Sequence, residues 1–407
     1  MTPLTHHPHP WPTIDTPAFR TLAAIFRPVF AEIAEGSRQR DATRTLPRDE
    51  VARLKALKFG ALLLPKDKGG LGATPLELLA LLVELAEADS NVAQIFRAHF
   101  GLLGQLLDEP SNPWTRRCID IIGSGEIISA AATEVGNAAL GKFSTSIMQT
   151  NEGHRLNGQK FYTTGALFSE WMTVSGLNNA DEPIMALIKT TAPGTSIVDD
   201  WNGFGQRLTA SGTAVFDQVL LDDNDIAPSA SRWPFLTAFA QLAHLATLVG
   251  IGRAASSAIA GYVRSRKRTY SHAAASIASD DPQVLQLVGK VFANAHGGNL
   301  IVLSAADAYH RAIAEGSKDR TEIGKLEVQI YQAQVVVHQL ILDATTVLFD
   351  GLGASALSNE LGLDRYWRNA RAISSHNPVI YKERQIGDFA VNGSLPPDLW
   401  TTGIGKA

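Results

Sequence analysis

The chain has 407 residues, of which 45% are hydrophobic and 19% charged, and its formal net charge is −4. This composition predicts a globular protein of two or three domains and argues against nucleic acid or an anionic membrane surface as the main partner. The single cysteine, Cys118, excludes an internal disulfide and a cysteine-rich metal site, so we predict a cytoplasmic protein without a bound metal.

Neither a membrane span nor a signal peptide is expected, because no apolar run approaches the roughly 18 residues that a span needs. The first residues contain the cluster His6-His7-Pro8-His9. Such a cluster could bind a metal, but proline-interrupted polar ends are more often flexible. We therefore expect flexible termini at residues 1–16 and 397–407.

An all-helical domain is predicted over residues 17–125. Apolar residues recur at spacings of three and four over residues 18–35 and 47–58, which is typical of amphipathic helices. Thr74 precedes a proline and is predicted to cap the next helix. A further helix is expected over residues 90–107.

An antiparallel β domain is predicted over residues 126–230. Short runs with alternating or β-branched residues occur there and are separated by turn-forming pairs. These runs are 127–130, 142–149, 155–164, 171–175, 183–189 and 212–221. Asn157-Gly158 is the clearest signal for a tight hairpin turn.

Long alanine-rich segments then predict a C-terminal four-helix bundle within a domain of residues 231–396. Gly351 and Gly353 could belong to a dinucleotide-binding loop, but no strand precedes them and no acid follows at the required distance. Taken alone, these patterns support an α+β chain with a β domain in the middle.

The densest cluster of basic and aromatic residues lies late in the chain. Arg365, Arg368 and Arg371 recur every third residue and form one basic stripe on a helix. Pro378 biases the preceding residue away from helical angles, which places His376 where this helix ends. A basic face with a histidine at its end suits an anionic cofactor, and it equally suits a solvated surface helix. Composition alone leaves both open.

The motif Asp364-Arg-Tyr-Trp-Arg-Asn-x-Arg371, followed by His376-Asn377-Pro378, is similar to the C-terminal signature of flavin-dependent monooxygenases with the acyl-CoA dehydrogenase fold. The resemblance is to the dibenzothiophene monooxygenase group and the related dimethylsulfone-type and alkanesulfinate-type enzymes, over residues 46–396. It implies an N-terminal helical domain, a middle antiparallel β-barrel and a C-terminal four-helix bundle.

The resemblance also implies a two-component reaction. A separate NAD(P)H:flavin reductase would supply reduced FMN, with FAD as an alternative. Oxygen would form a C4a-hydroperoxide that oxygenates a small organic substrate at sulfur, with N-hydroxylation and aromatic hydroxylation as alternatives. A homotetramer, as a dimer of dimers, is implied as well.

Cofactor contacts follow from the same resemblance. The strand that ends at Thr164 is expected to lie along the flavin ring, and Arg268 is expected to bind the flavin phosphate, for which a guanidinium fork is well suited. The full set of expected contacts is Thr133, Phe161, Tyr162, Thr163, Thr164, Arg268, Tyr270, Gly351, Gly353 and Arg368.

His376 is the main candidate for catalysis, because the resemblance places it on the oxygen side of the flavin. Thr164 and His99 are expected to take part, and the substrate is expected to contact Gln94, Ala98 and His99. The dibenzothiophene enzymes carry a histidine and a tyrosine at the positions of Gln94 and Ala98, so a different substrate is expected here. Asp120, His244, His310 and His338 lie at no recognisable ligand spacing and are expected to be structural.

The main alternative is an FAD-dependent acyl-CoA dehydrogenase, which needs a carboxylate to remove a proton next to a thioester. The two segments where such enzymes carry it, residues 236–241 and 373–378, contain no acid here. A flavoprotein-fold binding protein without turnover stays open as a third class.

Overall fold

The computed structural model describes residues 9–108, 112–135, 144–227, 233–316 and 318–397. In the described part of the chain, five helices come first: α1 (Pro17–Thr43), α2 (Arg48–Ala56), α3 (Pro75–Ile95), α4 (Arg97–Asp108) and α5 (Pro113–Ser124). The predicted cap at Thr74 is confirmed, since its hydroxyl accepts a hydrogen bond from the Glu77 N–H while the Glu77 carboxylate accepts one from the Thr74 N–H. This reciprocal arrangement satisfies two backbone donors at the start of α3.

Helix α3 is broken at Asp89, whose backbone angles are extended. The Asp89 carboxylate accepts a hydrogen bond from the Asn91 N–H at 3.0 Å and binds Arg40 of α1 at 2.9 Å. It therefore caps the second half of the helix in the way that an N-terminal aspartate does. The break redirects the segment that ends at Ile95.

Seven strands follow within the described residues: β1 (Ile128–Ala131), β2 (Ser146–Thr150), β3 (Gly153–Lys160), β4 (Trp171–Leu177), β5 (Pro183–Lys189), β6 (Thr195–Val198) and β7 (Thr213–Leu221). They form one curled sheet in the order β1-β4-β2-β3-β7-β6, with β5 paired to β4. The sheet is mixed rather than purely antiparallel, because β1 runs parallel to β4. The hairpin β2–β3 supplies part of the long connection that a parallel pair requires.

The prediction of a hairpin turn at Asn157-Gly158 is wrong. The chain reverses at residues 151–152, between β2 and β3, whereas Asn157 and Gly158 lie inside β3 at a bulge in its pairing with β7. Gly158 has a φ of +144°, and a Cβ there would lie 2.6 Å from the Thr145 Oγ1. The glycine therefore serves a bulge and a close backbone approach, which give the same sequence signal as a turn.

Five helices complete the described part of the chain: α6 (Leu236–Ser265), α7 (Pro282–Glu315), α8 (Arg320–Val347), α9 (Asp364–Ser374) and α10 (Val379–Asn392). Helix α6 is central and packs against α3, α7, α8 and α9. A window of α6 is long and apolar enough to cross a membrane by composition, which the sequence analysis did not expect, but 83% of that window is buried inside the fold. Burial of this extent is typical of a core helix.

Two hydrophobic cores are present. One joins the helices before and after the sheet, and the other lies within the sheet around residues such as Ile147, Met172 and Phe216. The division into domains at residues 17–125, 126–230 and 231–396 stays a prediction, with which the order of helices and strands is compatible.

His9, Trp11 and Pro12 contact the helical bundle, which differs from the flexible N-terminus expected from the sequence. Trp11 stacks on Phe292 of α7 at 5.6 Å between ring centroids, and the Arg253 guanidinium lies over the Trp11 ring. The Pro12 carbonyl accepts a hydrogen bond from Asn299 at 2.6 Å. An aromatic anchor and a buried backbone partner hold this segment against the bundle. Residues 1–8, with the rest of the histidine cluster, and residues 398–407 lie outside the described residues.

Candidate active site

Two histidines from different elements meet beside α9. His376 follows the end of α9, as its position before Pro378 predicts, and its ring lies 4.4 Å from that of His244 on α6. The next residue, Asn377, donates a hydrogen bond to the Gln241 Oε1 at 3.3 Å, one turn earlier on α6. His376 is exposed and His244 is buried, so the pair forms the wall of a recess that opens to solvent.

The end of α3 supplies the next wall of this recess. The Gln94 amide nitrogen lies 3.3 Å from the His244 Nε2, and the Gln94 Oε1 is buried without a hydrogen-bond partner among the described residues. Arg97 begins α4 three residues later, with half-buried Ala98 next to it. An unpartnered buried carbonyl oxygen is uncommon in a folded protein and marks a place where a ligand or water is expected to bind.

The charged groups that shift the pKa values in the recess are all cationic side chains. Partial enclosure in the recess, followed by the charge of Arg97, lowers the pKa of His376 below its usual value, although the residue remains accessible to solvent. Burial, followed by His376 and Arg97, lowers the pKa of His244 well below its usual value. His338 on α8 has a pKa of about 4, lowered by burial and then by Arg371. These imidazoles are therefore neutral at pH 7, and each keeps one N–H donor and one acceptor nitrogen.

The predicted flavin-facing turn is built from a chain of hydroxyl groups. The Thr164 Oγ1 lies 2.7 Å from the Ser211 Oγ, which in turn lies 2.7 Å from the Thr209 Oγ1. Tyr162 is exposed, has a φ of +57°, and sets its ring edge against Trp201. A tyrosine in left-handed backbone geometry is strained, and such strain is often found at functional sites.

This turn and the His376 recess adjoin the same end of α3. Gly165, next to Thr164, approaches the Ile95 carbonyl so closely that a Cβ would lie 2.8 Å from its oxygen. Ile95 follows Gln94, which contacts the partner of His376. The fold therefore brings the end of the β domain and the end of α9 to one junction.

Hydrogen bonds to side chains of α3 and α9 hold the loop before β7 at this junction. The Asn369 side chain of α9 accepts a hydrogen bond from the Gln206 N–H at 2.7 Å, and the Asn91 side chain of α3 accepts one from the Leu208 N–H at 3.1 Å. Gln206 and Ala210 both have positive φ values, near 50°. Buried side chains of the helices thus hold a strained loop in place beside Thr164.

Two of the remaining strand-end residues are placed for backbone roles. Phe161 and Thr133 form an isolated β-bridge, in which the Phe161 N–H donates to the Thr133 carbonyl at 2.8 Å. Thr163 is fully buried and its hydroxyl donates to the Gly212 carbonyl at 2.9 Å. The Thr163 hydroxyl is therefore bonded inside the sheet, and the contact of Thr163 with the cofactor stays a prediction.

His99 does not fit the catalytic and substrate roles predicted for it. It is 1% exposed, its Nδ1 accepts a hydrogen bond from the Ile128 N–H at 3.0 Å, and its Nε2 lies 2.8 Å from the Gly60 carbonyl. Burial lowers its pKa to about 4. Both ring nitrogens are satisfied by backbone groups, so His99 ties α4 to β1 and to the segment before α3.

Arg368 does not fit the cofactor-binding role predicted for it. Its guanidinium binds the Asp41 and Asp364 carboxylates and donates to the Phe204 carbonyl at 3.1 Å. Every nitrogen of the fork is therefore engaged, and the side chain joins α9 to α1 and to the loop before β7.

The residues expected at the flavin phosphate form a separate cluster. The Arg266 guanidinium lies over the Tyr270 ring and donates to the Gly351 carbonyl at 3.3 Å, and a Cβ on Gly353 would collide with the Tyr270 hydroxyl. Arg268 is exposed in the same segment. Twenty helical residues separate His244 from the end of α6, which corresponds to about 30 Å at 1.5 Å per residue. One protomer alone does not bring this cluster to the His376 recess.

A cleft of about 980 Å³ lies elsewhere, between α1, α3, α6 and α9. Trp11, Glu87, Arg253 and Tyr366 are among its lining residues, and none of the predicted site residues is. Because this cleft holds none of that chemistry, we define the candidate site by its side chains rather than by cavity size.

Several residues of the site were not among those predicted. Arg97 and Gln241 in the recess and Ser211 beside Thr164 were not singled out. His244 and His338 were expected to be structural, and this stays a prediction, although His244 contacts His376. Gln241 and His244 are polar residues one turn apart on a helix whose other buried positions are mostly apolar. That departure was the available signal, since a buried polar pair on an apolar face needs a partner.

Comparisons with known proteins agree with this geometry. The family descriptions that match are the acyl-CoA dehydrogenase N-terminal domain, over residues 19–117, and the acyl-CoA dehydrogenase C-terminal domain, over residues 242–380. A Pseudomonas putida protein named probable FMNH2-dependent monooxygenase SfnC is 29% identical over 94% of this chain and 98% of its own length. A dibenzothiophene monooxygenase from Mycolicibacterium goodii is 26% identical over 88% of this chain and 90% of its own length.

A solved structure gives the same result. Methanesulfinate monooxygenase MsuC from Pseudomonas fluorescens superposes with a TM-score of 0.84 and 27% identity, and the match covers 95% of this chain and 99% of MsuC. The chain belongs to the acyl-CoA dehydrogenase-fold family, whose two domain descriptions together match more than half of it. Within that family it belongs to the flavin-dependent monooxygenase group, which confirms the resemblance seen in residues 364–378.

Proposed function

We propose that this protein is the oxygenase component of a two-component flavin monooxygenase. It takes reduced FMN from a separate NAD(P)H-dependent reductase and, with O2, adds one oxygen atom to the sulfur of a small organic substrate. The observation that carries the proposal is the composition of the recess. Its polar groups are imidazoles, amides and a guanidinium, and among the described residues no Asp or Glu forms a hydrogen bond or ion pair with His244, His376 or Arg97.

An acyl-CoA dehydrogenase needs a different recess. Removal of a proton next to a thioester requires a base, which in that reaction is a carboxylate within hydrogen-bond reach. Gln241 and His376 stand near the two places where the dehydrogenases of this fold carry it, and Asn377 binds Gln241 directly. A neutral amide cannot act as that base, and the lowered pKa of His376 makes its imidazole a weaker base than an ordinary histidine.

The residues at the junction fit a flavin. Tyr162 presents an exposed aromatic ring, and Phe204 and Trp367 form an exposed stacked pair at 5.9 Å beside the strained loop. The Gln94 Oε1 and the Arg97 Nε are unpartnered among the described residues and suit the polar edge of a planar ligand. When bound, reduced FMN supplies the electrons that activate O2.

The side chains would then act through position and hydrogen bonding. His376 offers a neutral imidazole N–H to the oxygen that is transferred, and His244 and Gln94 behind it fix the ring. The Thr164 hydroxyl is oriented by Ser211 and Thr209, so it is pre-organised beside the end of α3. Pre-organised donors favour oxygen transfer over loss of peroxide, and the bound flavin and substrate would close the recess to water.

The distance between the His376 recess and the cluster around Arg268 and Tyr270 supports an oligomeric assembly. If the cluster around Arg268 and Tyr270 holds the flavin phosphate, it must come from a second protomer, because about 30 Å of α6 separates it from His244 in one chain. A homotetramer built as a dimer of dimers meets this requirement through isologous interfaces. We place the protein in the cytoplasm, where its reductase partner and reduced flavin would be available.

The experiment is an anaerobic titration of the protein with reduced FMN, followed by mixing with oxygenated buffer. We expect stoichiometric binding and a reoxidation of the flavin that is at least tenfold slower than that of free reduced FMN. Reoxidation at the rate of free flavin, together with bleaching of protein-bound FAD by acyl-CoA thioesters, would instead support the dehydrogenase.

A further inference from the structure

Arg97 is half-buried, and its lack of a partner among the described residues distinguishes it from other enclosed arginines of this protein. Arg40, Arg253 and Arg368 each bind at least one carboxylate at ion-pair distance. For Arg97, the described part of the chain supplies no ion pair and no hydrogen bond, and its Nε is buried without a partner. An enclosed charge without a partner is unfavourable, so a half-buried guanidinium whose Nε is unpartnered favours a ligand that supplies the counter-charge.

Within the described ranges, no residue supplies such a counter-charge to Arg97. Its positive charge lowers the pKa of both His244 and His376, and no acid contributes to the pKa of either histidine. Burial alone lowers the pKa of Arg97 itself, to about 10, so the guanidinium stays charged at pH 7. Helix α8, which carries His338, also faces a cation, because the charge of Arg371 lowers the pKa of His338. The groups that shift the pKa values of His244, His338 and His376 through their charge are thus histidines and arginines.

We propose that Arg97 binds an anionic group of the substrate, so that the molecule oxygenated here is a small organic anion such as a sulfinate, not a neutral sulfide or thiophene. The proposal rests on the proposed function and names the substrate class for that site. Gln94, one turn before Arg97, offers its unpartnered Oε1 to a second polar position of the same ligand or of the flavin edge.

A sulfinate satisfies both the electrostatics and the chemistry. Its sulfur keeps a lone pair that attacks the activated oxygen, and its two oxygens suit the fork of a guanidinium. The reaction is R–SO2⁻ + O2 + reduced FMN → R–SO3⁻ + oxidised FMN + H2O. A new S–O bond forms, the O–O bond breaks, and the two electrons and two protons of the flavin convert the other oxygen atom to water. The substrate charge is −1 before and after, so Arg97 is never left unpaired during turnover.

The test compares benzenesulfinate with methyl phenyl sulfide, which have similar size but differ in charge. Both are assayed as oxygen acceptors at saturating reduced FMN, in the wild type and in Arg97→Met, Arg97→Lys and the control Arg311→Met. Arg311 lies exposed on α7 and pairs with Asp307. We expect the wild type to prefer the sulfinate at least tenfold in kcat/KM. Arg97→Met should lose that preference through a higher KM, Arg97→Lys should keep part of it, and Arg311→Met should match the wild type.

Two measurements besides activity complete the test. Arg97→Met should not lower the unfolding midpoint of the ligand-free protein, because Arg97 makes no ion pair or hydrogen bond among the described residues, and an unchanged midpoint also shows that the variant folds. Benzenesulfinate should raise the pKa of His376 in the wild type but not in Arg97→Met, as measured by NMR titration of the histidine ring. Equal preference for both acceptors, or a loss of reduced-FMN affinity in Arg97→Met at an unchanged KM for the sulfinate, would overturn the proposal. Arg97-dependent sulfinate binding without any slowing of flavin reoxidation would instead reject the proposed function alone.

Discussion

The ring of His244 lies 4.4 Å from that of His376, although 131 residues of sequence separate these two histidines. His244 is buried on α6 and His376 is exposed after α9. The inner ring, itself in contact with Gln94, limits where the outer ring can lie. A donor whose place is fixed before the reaction needs no reorganisation during it, which is the basis of electrostatic pre-organisation.

Replacement of His376 by alanine tests the role of this donor. We expect the yield of oxygenated product per reduced FMN consumed to fall about 100-fold, within the range that a positioned acid–base group contributes. Reduced-FMN affinity, measured by anaerobic titration, should change less than twofold, because the flavin is held by other groups. An unchanged yield would remove His376 from the mechanism.

Arg268→Ala tests whether the flavin site is shared between protomers. Loss of a charge-assisted contact should weaken reduced-FMN binding by about 1.5–3 kcal/mol, or roughly 10- to 150-fold. Co-expression of differently tagged Arg268→Ala and His376→Ala chains should restore activity that neither variant has alone, because mixed assemblies contain some intact sites. If each protomer holds a complete site, the mixture will show only the average of the two variants.

The pH dependence of stability tests the assignment of His99 to the core. Its pKa in the folded protein is about 4, below the value of about 6.5 in an unfolded chain, so the unfolded state binds more protons between these pH values. The contribution of His99 to the free energy of unfolding is therefore complete above about pH 6.5, and it is lost as the pH falls toward 4. Between pH 6.5 and 5 the His99 contribution amounts to about 2 kcal/mol.

The measurement is urea unfolding at pH 7 and pH 5 for the wild type and His99→Gln. The variant should be less stable at pH 7 but should lose about 2 kcal/mol less on acidification. The comparison isolates His99 from the other buried histidines, which are present in both proteins. Parallel losses would mean that His99 already titrates near its usual pKa in the folded state.

Arg368→Met tests the structural assignment of that arginine. Asp41 is buried, so removal of its partner leaves an unpaired carboxylate, and we expect a loss on the order of 3 kcal/mol in the free energy of unfolding. Arg371→Met, one turn further along α9 at an exposed position, should lose less than about 1 kcal/mol. If Arg368→Met instead keeps normal stability and binds reduced FMN more weakly, Arg368 is a cofactor-binding residue after all.

The sequence predicted the fold through strong local signals. Thr74 with Glu77 marks a helix start, and Pro378 marks the end of α9 so that His376 is placed correctly. Asn157-Gly158 misled because a bulge and a turn both require a glycine-type backbone, and only the pairing of β3 with β7 separates them. Local pattern cannot show which partner strand a residue will face.

The candidate site was predicted less completely, because its groups acquire their chemistry from distant parts of the chain. His99 and His244 both lie on helices in apolar surroundings, yet backbone groups satisfy the first and the second contacts His376. Arg368 and Arg97 carry the same charge, but Asp41 neutralises the first and no described residue neutralises the second. Partners of this kind follow from tertiary packing.

The measurement that tests the central claim most directly is a single turnover with isotopically labelled oxygen. The protein is loaded anaerobically with reduced FMN and benzenesulfinate, then mixed with ¹⁸O2, and the product is analysed by mass spectrometry. The account predicts one ¹⁸O atom in each sulfonate formed, with the second oxygen atom released as water. Complete flavin oxidation that yields only labelled hydrogen peroxide and leaves sulfinate, methyl phenyl sulfide and other sulfur acceptors unlabelled would contradict it.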